Sequence, residues 1–369
     1  MNTTLTPSEL NIIARNVSRL SNLLTRERET LPVSYLHDKD LRMAYIFYFV
    51  PANMYKIHKP LHELSLHPGG ILDRKKLRIL DLGSGPGTAV LGVLDFFSSH
   101  EKRPFLEFTA VDPIAENLRD AERLFKSFIE KTYLEASLST FKASIEKTKS
   151  LPKGPFDIII LSNLLSEVFS SDPEKIIKRT CILKTIINES LANDGSCIII
   201  EPALRETSRD MLMNRDSLLK EGFHAYSPCL MNEPCPALIN LRDWCHEDIP
   251  WEPPPVIREI DRLTGLRKDS LKFSYLIIRK DRLSLSDIYG NKSYRVVSEP
   301  LISKGKIEFY VCGKDGRRLV VRLDKDKTCL NESFDRLQRG DVASMQNLID
   351  EGKRLKIGEN TIVKHGGKE

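Results

Sequence analysis

The chain has 369 residues and a mass of 42.1 kDa, with 41% hydrophobic residues, 29% charged residues and a mean hydropathy of −0.28. These values exclude a wholly disordered chain, a collagen-like repeat and a disulfide-dense secreted scaffold, and the length calls for two or three units around a substantial core. The net charge of +5 lies entirely in residues 291–369, where 17 Lys/Arg face 12 Asp/Glu. That end is an expected contact for a polyanionic partner, with a solvated charged surface as the plain alternative.

No run approaches the roughly 18 apolar residues of a membrane span. Residues 1–10 show neither the basic and apolar regions of a secretory signal nor the Arg-rich, acid-poor pattern of a transit peptide. The expected location is cytoplasmic, with no membrane partner. Seven cysteines, an odd number, then read as thiols, metal ligands or redox groups rather than disulfides.

In chain order, residues 1–70 are expected to form an N-terminal helical region. Leu10, Ile13, Val17, Leu20 and Leu24 recur at helical spacing behind Pro7-Ser8-Glu9, a helix start. The stretch 35–64 is rich in aromatics, with Tyr45, Phe47, Tyr48, Phe49 and Tyr55 read as core and Pro51 as a break between two helices. From 71 to 290 short apolar runs (77–80, 108–111, 156–161, 196–200) alternate with helical stretches at 115–132 and 174–191. That alternation is the mark of a doubly wound, parallel α/β sheet. Runs at 223–226 and 273–278 are expected as a final antiparallel pair, separated by a Pro- and Cys-rich insertion at 227–255. Runs at 294–297, 306–311 and 318–323, with turns at 313–316 and 339–342, predict a small OB-like β-barrel over 291–350. Residues 351–369 are expected as a mobile basic tail.

The run 77–80 leads into Asp81-Leu82-Gly83-Ser84-Gly85-Pro86-Gly87-Thr88, and a helical segment follows. Glycines there let the backbone turn tightly and approach a ligand closely. Asp112, one βα unit further on, is placed to take both hydroxyls of a ribose. On the residues alone, a nicotinamide-binding Rossmann domain and a loop that binds nothing both stay open.

The form Asp-x-Gly-x-Gly-x-Gly resembles motif I of class I S-adenosylmethionine-dependent methyltransferases. The likeness continues through Asp112, Phe156-Asp157-Ile158-Ile159 and Gly195-Ser196-Cys197-Ile198. It implies Asp81 near the methionyl amine and Gly83, Ser84, Gly85 and Gly87 along the methionine and ribose. It also implies adenine beside Lys142-Ala143-Ser144, and Asn163 among the cofactor contacts. Leu161-Ser162-Asn163-Leu164-Leu165-Ser166-Glu167 is not the Asn/Asp-Pro-Pro-Tyr signature of amino methylation. No general base stands out, so the catalytic residues stay unassigned.

Cys229, Cys235 and Cys245 fall in an insertion that also holds Pro228, Pro234, Pro236, Pro250, Pro253, Pro254 and Pro255. So many prolines preclude regular structure, and a long irregular loop in a compact domain needs something to hold it. Thiolate ligation of a metal or cluster would couple binding to folding. There is no Cys-x-x-Cys knuckle of the zinc type, and wide spacing with prolines beside cysteine suits an iron–sulfur cluster. Buried unligated thiols remain the plain alternative.

The chain resembles the methyltransferase-like assembly factors of the mitochondrial ribosomal small subunit and their bacterial relatives. The likeness rests on Asp81-Leu82-Gly83-Ser84-Gly85-Pro86-Gly87, Glu201-Pro202, Ser227-Pro228-Cys229, Cys235-Pro236 and Asp243-Trp244-Cys245-His246, then Leu266-Arg267-Lys268 and Phe273-Ser274-Tyr275-Leu276. It implies a [4Fe–4S] cluster held by Cys229, Cys235, Cys245 and Cys312, clamping the barrel onto the methyltransferase domain. Cys329 and His246 compete for the fourth place, a Cys3His zinc site being the main alternative. Cys181 and Cys197 read as core. The resemblance also implies a factor for small-subunit assembly that binds S-adenosylmethionine and rRNA, in the mitochondrial matrix for eukaryotic relatives. Lys304, Lys306, Lys314, Arg317, Arg318, Arg322 and Arg339 would meet phosphate, and Tyr294, Phe309 and Tyr310 would stack bases. Its alternatives are a genuine rRNA methyltransferase and a small-molecule methyltransferase with a zinc-stapled lid.

Overall fold

The structure, a computed structural model, describes residues 5–27 and 35–366. Residues 1–4 and 28–34 of the expected helical region, and 367–369 of the expected tail, lie outside the described residues. The chain divides into two compact units, Met1–Glu201 with Ile249–Leu271, and Pro202–Asp248 with Lys272–Glu369.

The first unit opens with helix α1 (Pro7–Thr25). Thr6 and Glu9 form a capping box, with the Glu9 carboxylate accepting the Thr6 N–H at 2.8 Å. Ile13, Ala14, Val17 and Leu20 give α1 one buried stripe, which packs with Tyr48, Phe49, Ile257 and Ile260 in a single apolar cluster. Helix α2 (Lys39–Ala44) runs into a π-helical turn, Tyr45–Phe49, then α3 (Val50–Asn53), a 3-10 turn and α4 (His58–Ser65). Pro51 therefore does not break the segment as the sequence suggested. It has no N–H to donate, and the preceding turn widens so that Val50 N–H reaches the Tyr45 carbonyl.

Strands β1 (Lys76–Leu82), β2 (Phe105–Asp112), β3 (Ala136–Lys142), β4 (Phe156–Ser162) and β5 (Leu191–Pro202) stand in the order β3-β2-β1-β4-β5, every pair parallel. Helices α5 (Thr88–Ser98), α6 (Ala115–Ile129) and α7 (Lys175–Ser190) connect them. The inner strands are apolar almost throughout because both their faces are covered: Leu80, Leu82, Ile158, Ile159 and Ile160 are fully buried.

In the second unit α8 (Arg205–Lys220) precedes β6 (His224–Ser227) and β7 (Glu247–Pro250). The expected antiparallel pair forms between β6 and β8 (Ser270–Arg279), with His224 opposite Arg279. A second sheet contains β9 (Ser293–Val296), β10 (Leu301–Ser303), β11 (Lys306–Gly313), β12 (Gly316–Leu323), β13 (Val342–Gln346), β14 (Ile349–Asp350), β15 (Arg354–Ile357) and β16 (Ile362–His365). Gly313 pairs with Gly316 across the predicted hairpin turn. The sheet runs β14-β15-β12-β11-β9-β13-β16 with β10 beside β11, and it wraps a core of Val296, Phe309, Val311, Val320, Phe334 and Ile357.

The barrel expectation is met as a small β unit, but with eight strands rather than the five of an OB-fold. The reading of 351–369 as a tail fails over 354–365. There β15 pairs with β12 and β16 with β13, burying Leu355, Ile357 and Val363. Short alternating segments beside lysines hide their apolar face from a compositional reading.

Candidate functional site

The glycine turn and its acids gather at the C-terminal edge of the parallel strands. Gly83 N–H and Ser84 N–H donate to the Val111 carbonyl at 2.8 and 3.0 Å, and Gly85 N–H donates to Asp112 Oδ2 at 2.9 Å. Gly83, Gly85 and Gly87 have φ of 66°, 53° and 85°, the left-handed region that glycine adopts without strain. A Cβ on Gly83 would lie 2.6 Å from Leu164, whereas one on Gly85 meets nothing within 4 Å. The loop is thus packed at its first glycine and open at its second. Ala143 follows β3 and donates its N–H to the Asp112 carbonyl at 3.3 Å. Asn163 follows β4 with φ of 57° and donates its N–H to the Ile200 carbonyl at 2.7 Å.

The two acids differ. Asp112 is fixed by three donors, Gly85, Ile114 and Asn117. Burial raises its pKa, and those hydrogen bonds oppose the rise. Asp81 is 1% exposed, and neither carboxylate oxygen has a partner. Burial, then the charge of Asp112, pushes its carboxyl up to about 8; the Val90 N–H opposes the shift without reaching hydrogen-bonding geometry. A buried, unsatisfied carboxyl costs free energy unless a donor or cation meets it.

Three further groups in this unit carry no functional signal in the sequence. Tyr35 lies 3.5 Å by its hydroxyl from Glu167 Oε1. Tyr45, at the start of the π-helical turn, is raised to about 12 by burial, with the charges of Glu167 and Asp112 adding to the shift. Lys56, 7% exposed, is lowered to about 7 by burial and by Lys268, against the pull of Glu201. No local pattern marks them, because they meet only through the fold.

In the second unit Cys229, Cys235, Cys245 and Cys312 line one cavity, together with Arg215, Arg317 and His246. Cys312 lies in β11, next to the Gly313 turn, and its Sγ is 3.9 Å from Met231 Sδ. Burial, then the charge of Cys229, pushes the Cys235 and Cys312 thiols up to about 12 and the Cys245 thiol well up. Arg215 is fully buried; its Nε–H and that of Arg317 lack partners, as does Nδ1 of His246. Arg209 holds the loop by donating to the carbonyls of Ala237, Leu238, Asn240 and Asp243.

Among the described residues, no three or more His, Cys, Asp or Glu are grouped tightly enough to hold a single metal ion. Tetrahedral zinc would need sulfurs about 3.8 Å apart, from a Zn–S bond of about 2.3 Å. The thiols share their cavity with two guanidinium Nε–H donors that lack partners, those of Arg215 and Arg317. Cys229, Cys235, Cys245 and Cys312 all belong to the second unit. Cys197 is buried as expected, but Cys181 is exposed, as is Cys329.

The C-terminal cations are less available than their number suggested. Arg322 is 2% exposed and paired with Asp335, Arg318 pairs with Asp350, Arg339 with Glu299, Lys306 with Glu308, and Arg317 with Asp243. Lys304 and Lys314 stay exposed. Phe309 and Tyr294 are buried, leaving Tyr310 exposed with Arg317 4.9 Å from its ring centre. Among the described residues no helix is long and apolar enough to cross a membrane.

The strand order, the glycine turn after β1 and the acid ending β2 define a class I methyltransferase-like protein. Residues 41–341 match the family model described as "Mitochondrial small ribosomal subunit Rsm22", and the chain belongs to that family. No curated protein sequence matches it. Solved structures similar to it include the plantazolicin methyltransferase BamL in complex with a triazolic desmethylPZN analog and SAH (13% identity, 74% of this chain and 99% of that one, TM-score 0.36). Others are a SAM-dependent methyltransferase from Methanosarcina mazei (16%, 57% and 94%, 0.31) and TrmN from Thermus thermophilus (13%, 60% and 49%, 0.32).

Proposed function

We propose that this protein is a factor of the small ribosomal subunit that binds S-adenosylmethionine in its first unit and an iron–sulfur cluster in its second. The observation that carries the nucleotide reading is Asp81, a buried carboxyl with two unpartnered oxygens on the strand that leads into a glycine turn open at Gly85. An α-ammonium group would satisfy it, with Ser84, Gly85 and Gly87 along the ligand backbone, Asp112 at the ribose, and Ala143 and Asn163 flanking the base. When bound, the ligand brings a methyl group activated by a sulfonium centre.

For the cluster, Cys229, Cys235, Cys245 and Cys312 would supply four thiolates, and Arg215 and Arg317 would offset their charge. The support is the shared cavity and the two unsatisfied guanidinium donors. Assembly must displace the thiol protons, so loading couples to folding of the loop. Association with the small subunit follows from the family's description. We assign rRNA contact to the exposed cations of the β unit, Lys304 and Lys314, rather than to all seven basic residues that the sequence offers there.

The test is anaerobic purification, metal and sulfide analysis, calorimetry with S-adenosylhomocysteine, and sedimentation with small subunits across a salt series. The reading expects four iron and four sulfide per chain, as a [4Fe–4S] cluster requires. It also expects ligand binding lost in Asp81→Asn, and subunit association that weakens with salt. A colourless protein with one zinc overturns the cluster, and unchanged ligand affinity in Asp81→Asn overturns the nucleotide site.

A further inference from the structure

Two lysine ammonium groups of the first unit meet no oxygen. Lys56 is 7% exposed, and no hydrogen bond or ion pair among the described residues holds its Nζ. Lys268 lies with its Nζ 6.0 Å from the ring centre of Tyr48 and 5.8 Å from that of Phe49, likewise without an oxygen partner among the described residues. The charge of Asp261 acts on Lys268, but the Asp261 oxygens accept the Tyr48 hydroxyl at 2.5 Å and the Lys268 backbone N–H at 2.9 Å. The backbone that carries Lys56 is held close to the sheet's helical cover. It is part of the 3-10 turn Met54–Ile57, and a Cβ on Gly92 of α5 would lie 2.2 Å from the Met54 carbonyl oxygen and 2.6 Å from Ile57.

Burying an ammonium group without a partner is costly, and the charges around Lys56 do not offset that cost. Lys268 opposes the charged form more strongly than Glu201 favours it, so the net field at the Lys56 nitrogen is positive. Glu201 itself accepts the N–H groups of Leu165 and Ser166, at 2.8 and 3.3 Å. Burial and Lys268 together bring Lys56 down to about 7, so at pH 8 it stands mostly as a free amine. Shielding a lysine from water beside a second cation is a general way to make its amine nucleophilic.

The surroundings select the electrophile. Burial favours a small, uncharged one, and a positive field favours one whose adduct is an anion; an acyl or alkyl adduct carries no negative charge. We propose that Lys56 is a modification site for carbon dioxide, its side-chain amine forming a carbamate that the charge of Lys268 stabilises. The Nζ lone pair bonds to the carbon of carbon dioxide, and one C–O π pair moves onto oxygen. An N–H proton leaves to solvent, giving an N-carboxylate with no change of oxidation state. Reprotonation and loss of carbon dioxide restore the amine. The step needs neither nucleotide nor metal, so its outcome leaves the readings of the glycine turn and the cysteine cavity untouched.

The test uses the full chain with its native metal content, in constant bicarbonate labelled with heavy carbon, over a pH series from about 6.5 to 9. Adducts are trapped with triethyloxonium ion and read on each lysine by mass spectrometry of digests. At constant bicarbonate the fall in dissolved carbon dioxide cancels the easier loss of the proton, so occupancy follows the free amine. We expect Lys56 to carry at least tenfold more adduct at pH 7.5 than exposed Lys304 and Lys314. Its occupancy should level off by about pH 8, while that of ordinary lysines still climbs at pH 9. Lys56→Arg should remove the adduct, and Lys268→Met should lower Lys56 occupancy by roughly threefold or more at pH 7.5. Thermal melts check that each variant is folded, and the wild-type profile decides the matter if one is not. An unmodified Lys56, occupancy no greater than on Lys304, a profile still rising at pH 9, or undiminished occupancy in folded Lys268→Met each overturn the proposal.

Discussion

Asp81 and Asp112 leave adjacent parallel strands at the same edge of the sheet. One is held by three donors, while the other is buried with no partner for either oxygen. The charge of Asp112 adds to burial in raising Asp81 to about 8. Below pH 8 the free protein therefore carries Asp81 as a neutral acid, and a cation binding there must drive off the proton. S-adenosylhomocysteine affinity should rise with pH up to about 8, by up to tenfold per pH unit, with close to one proton released per ligand at pH 6.5. Calorimetry in buffers of different ionisation enthalpy measures the release.

The open second glycine and the packed first one should separate binding from folding. Gly85→Ala meets no atom but bears a strained φ of 53°, a cost of about 1–2 kcal/mol. Its Cβ enters the space the ligand would use, so affinity should fall at least tenfold while the melting temperature falls only by the few degrees that the backbone cost implies. Gly83→Ala collides with Leu164 and should lower the melting temperature several degrees more. Thermal melts with and without S-adenosylhomocysteine distinguish the two.

Lys56 gives a stability prediction with a definite sign. Its folded pKa of about 7 lies below the ordinary 10.5, so burial disfavours the charged form. The contribution of Lys56 to stability is most favourable above pH 10.5 and worsens as pH falls through the interval to about 7, because the unfolded chain binds the proton more readily. Lys56→Met should raise the melting temperature at pH 7 by a few degrees, and the gain should vanish near pH 10.5. Melting curves across that range check both points.

Thiol reactivity tests the cysteine cavity without reference to its contents. In metal-free protein Cys181 and Cys329, both exposed, should alkylate rapidly with iodoacetamide at pH 8. Cys235, Cys245 and Cys312, whose pKa values burial raises, and buried Cys197 should lag by at least tenfold. Mass spectrometry of timed digests reads the order.

The basic residues of the β unit should sort by burial. Arg322→Ala removes the buried partner of Asp335, which keeps Lys327 at 2.7 Å, and opens a gap beside Phe334, so it should cost about 1–3 kcal/mol of stability. Lys304→Glu with Lys314→Glu should leave stability within about 0.5 kcal/mol. The same double variant should weaken salt-sensitive association with small subunits. Denaturant titration and sedimentation separate the two effects.

Much of the first unit is legible from residue order alone. The alternating apolar runs set the parallel strands, and Pro7-Ser8-Glu9 marks the start of α1, where the capping box forms. Gly83, Gly85 and Gly87 mark a turn whose positive φ values only glycine takes freely. Family likeness singles out Cys312, and the fold brings it to the cavity of Cys229, Cys235 and Cys245. Pro51 misleads because a proline reads locally as a break, whereas a widened turn one residue earlier absorbs its missing donor. Residues 354–365 mislead because their strands are only four residues each and carry lysines on one face.

By itself, then, the sequence determined the period of each element, the loops that require glycine and the presence of chemically distinctive thiols, since all three are local properties of residue type and spacing. Only the tertiary structure decided which charges are spent. Arg322 turns inward to Asp335, Arg179 and Glu201 brace a turn, and Glu167 meets a tyrosine 132 positions away. Those pairings follow from burial, where an ionic or polar group must find a partner across the fold, and no periodicity along the chain encodes that search.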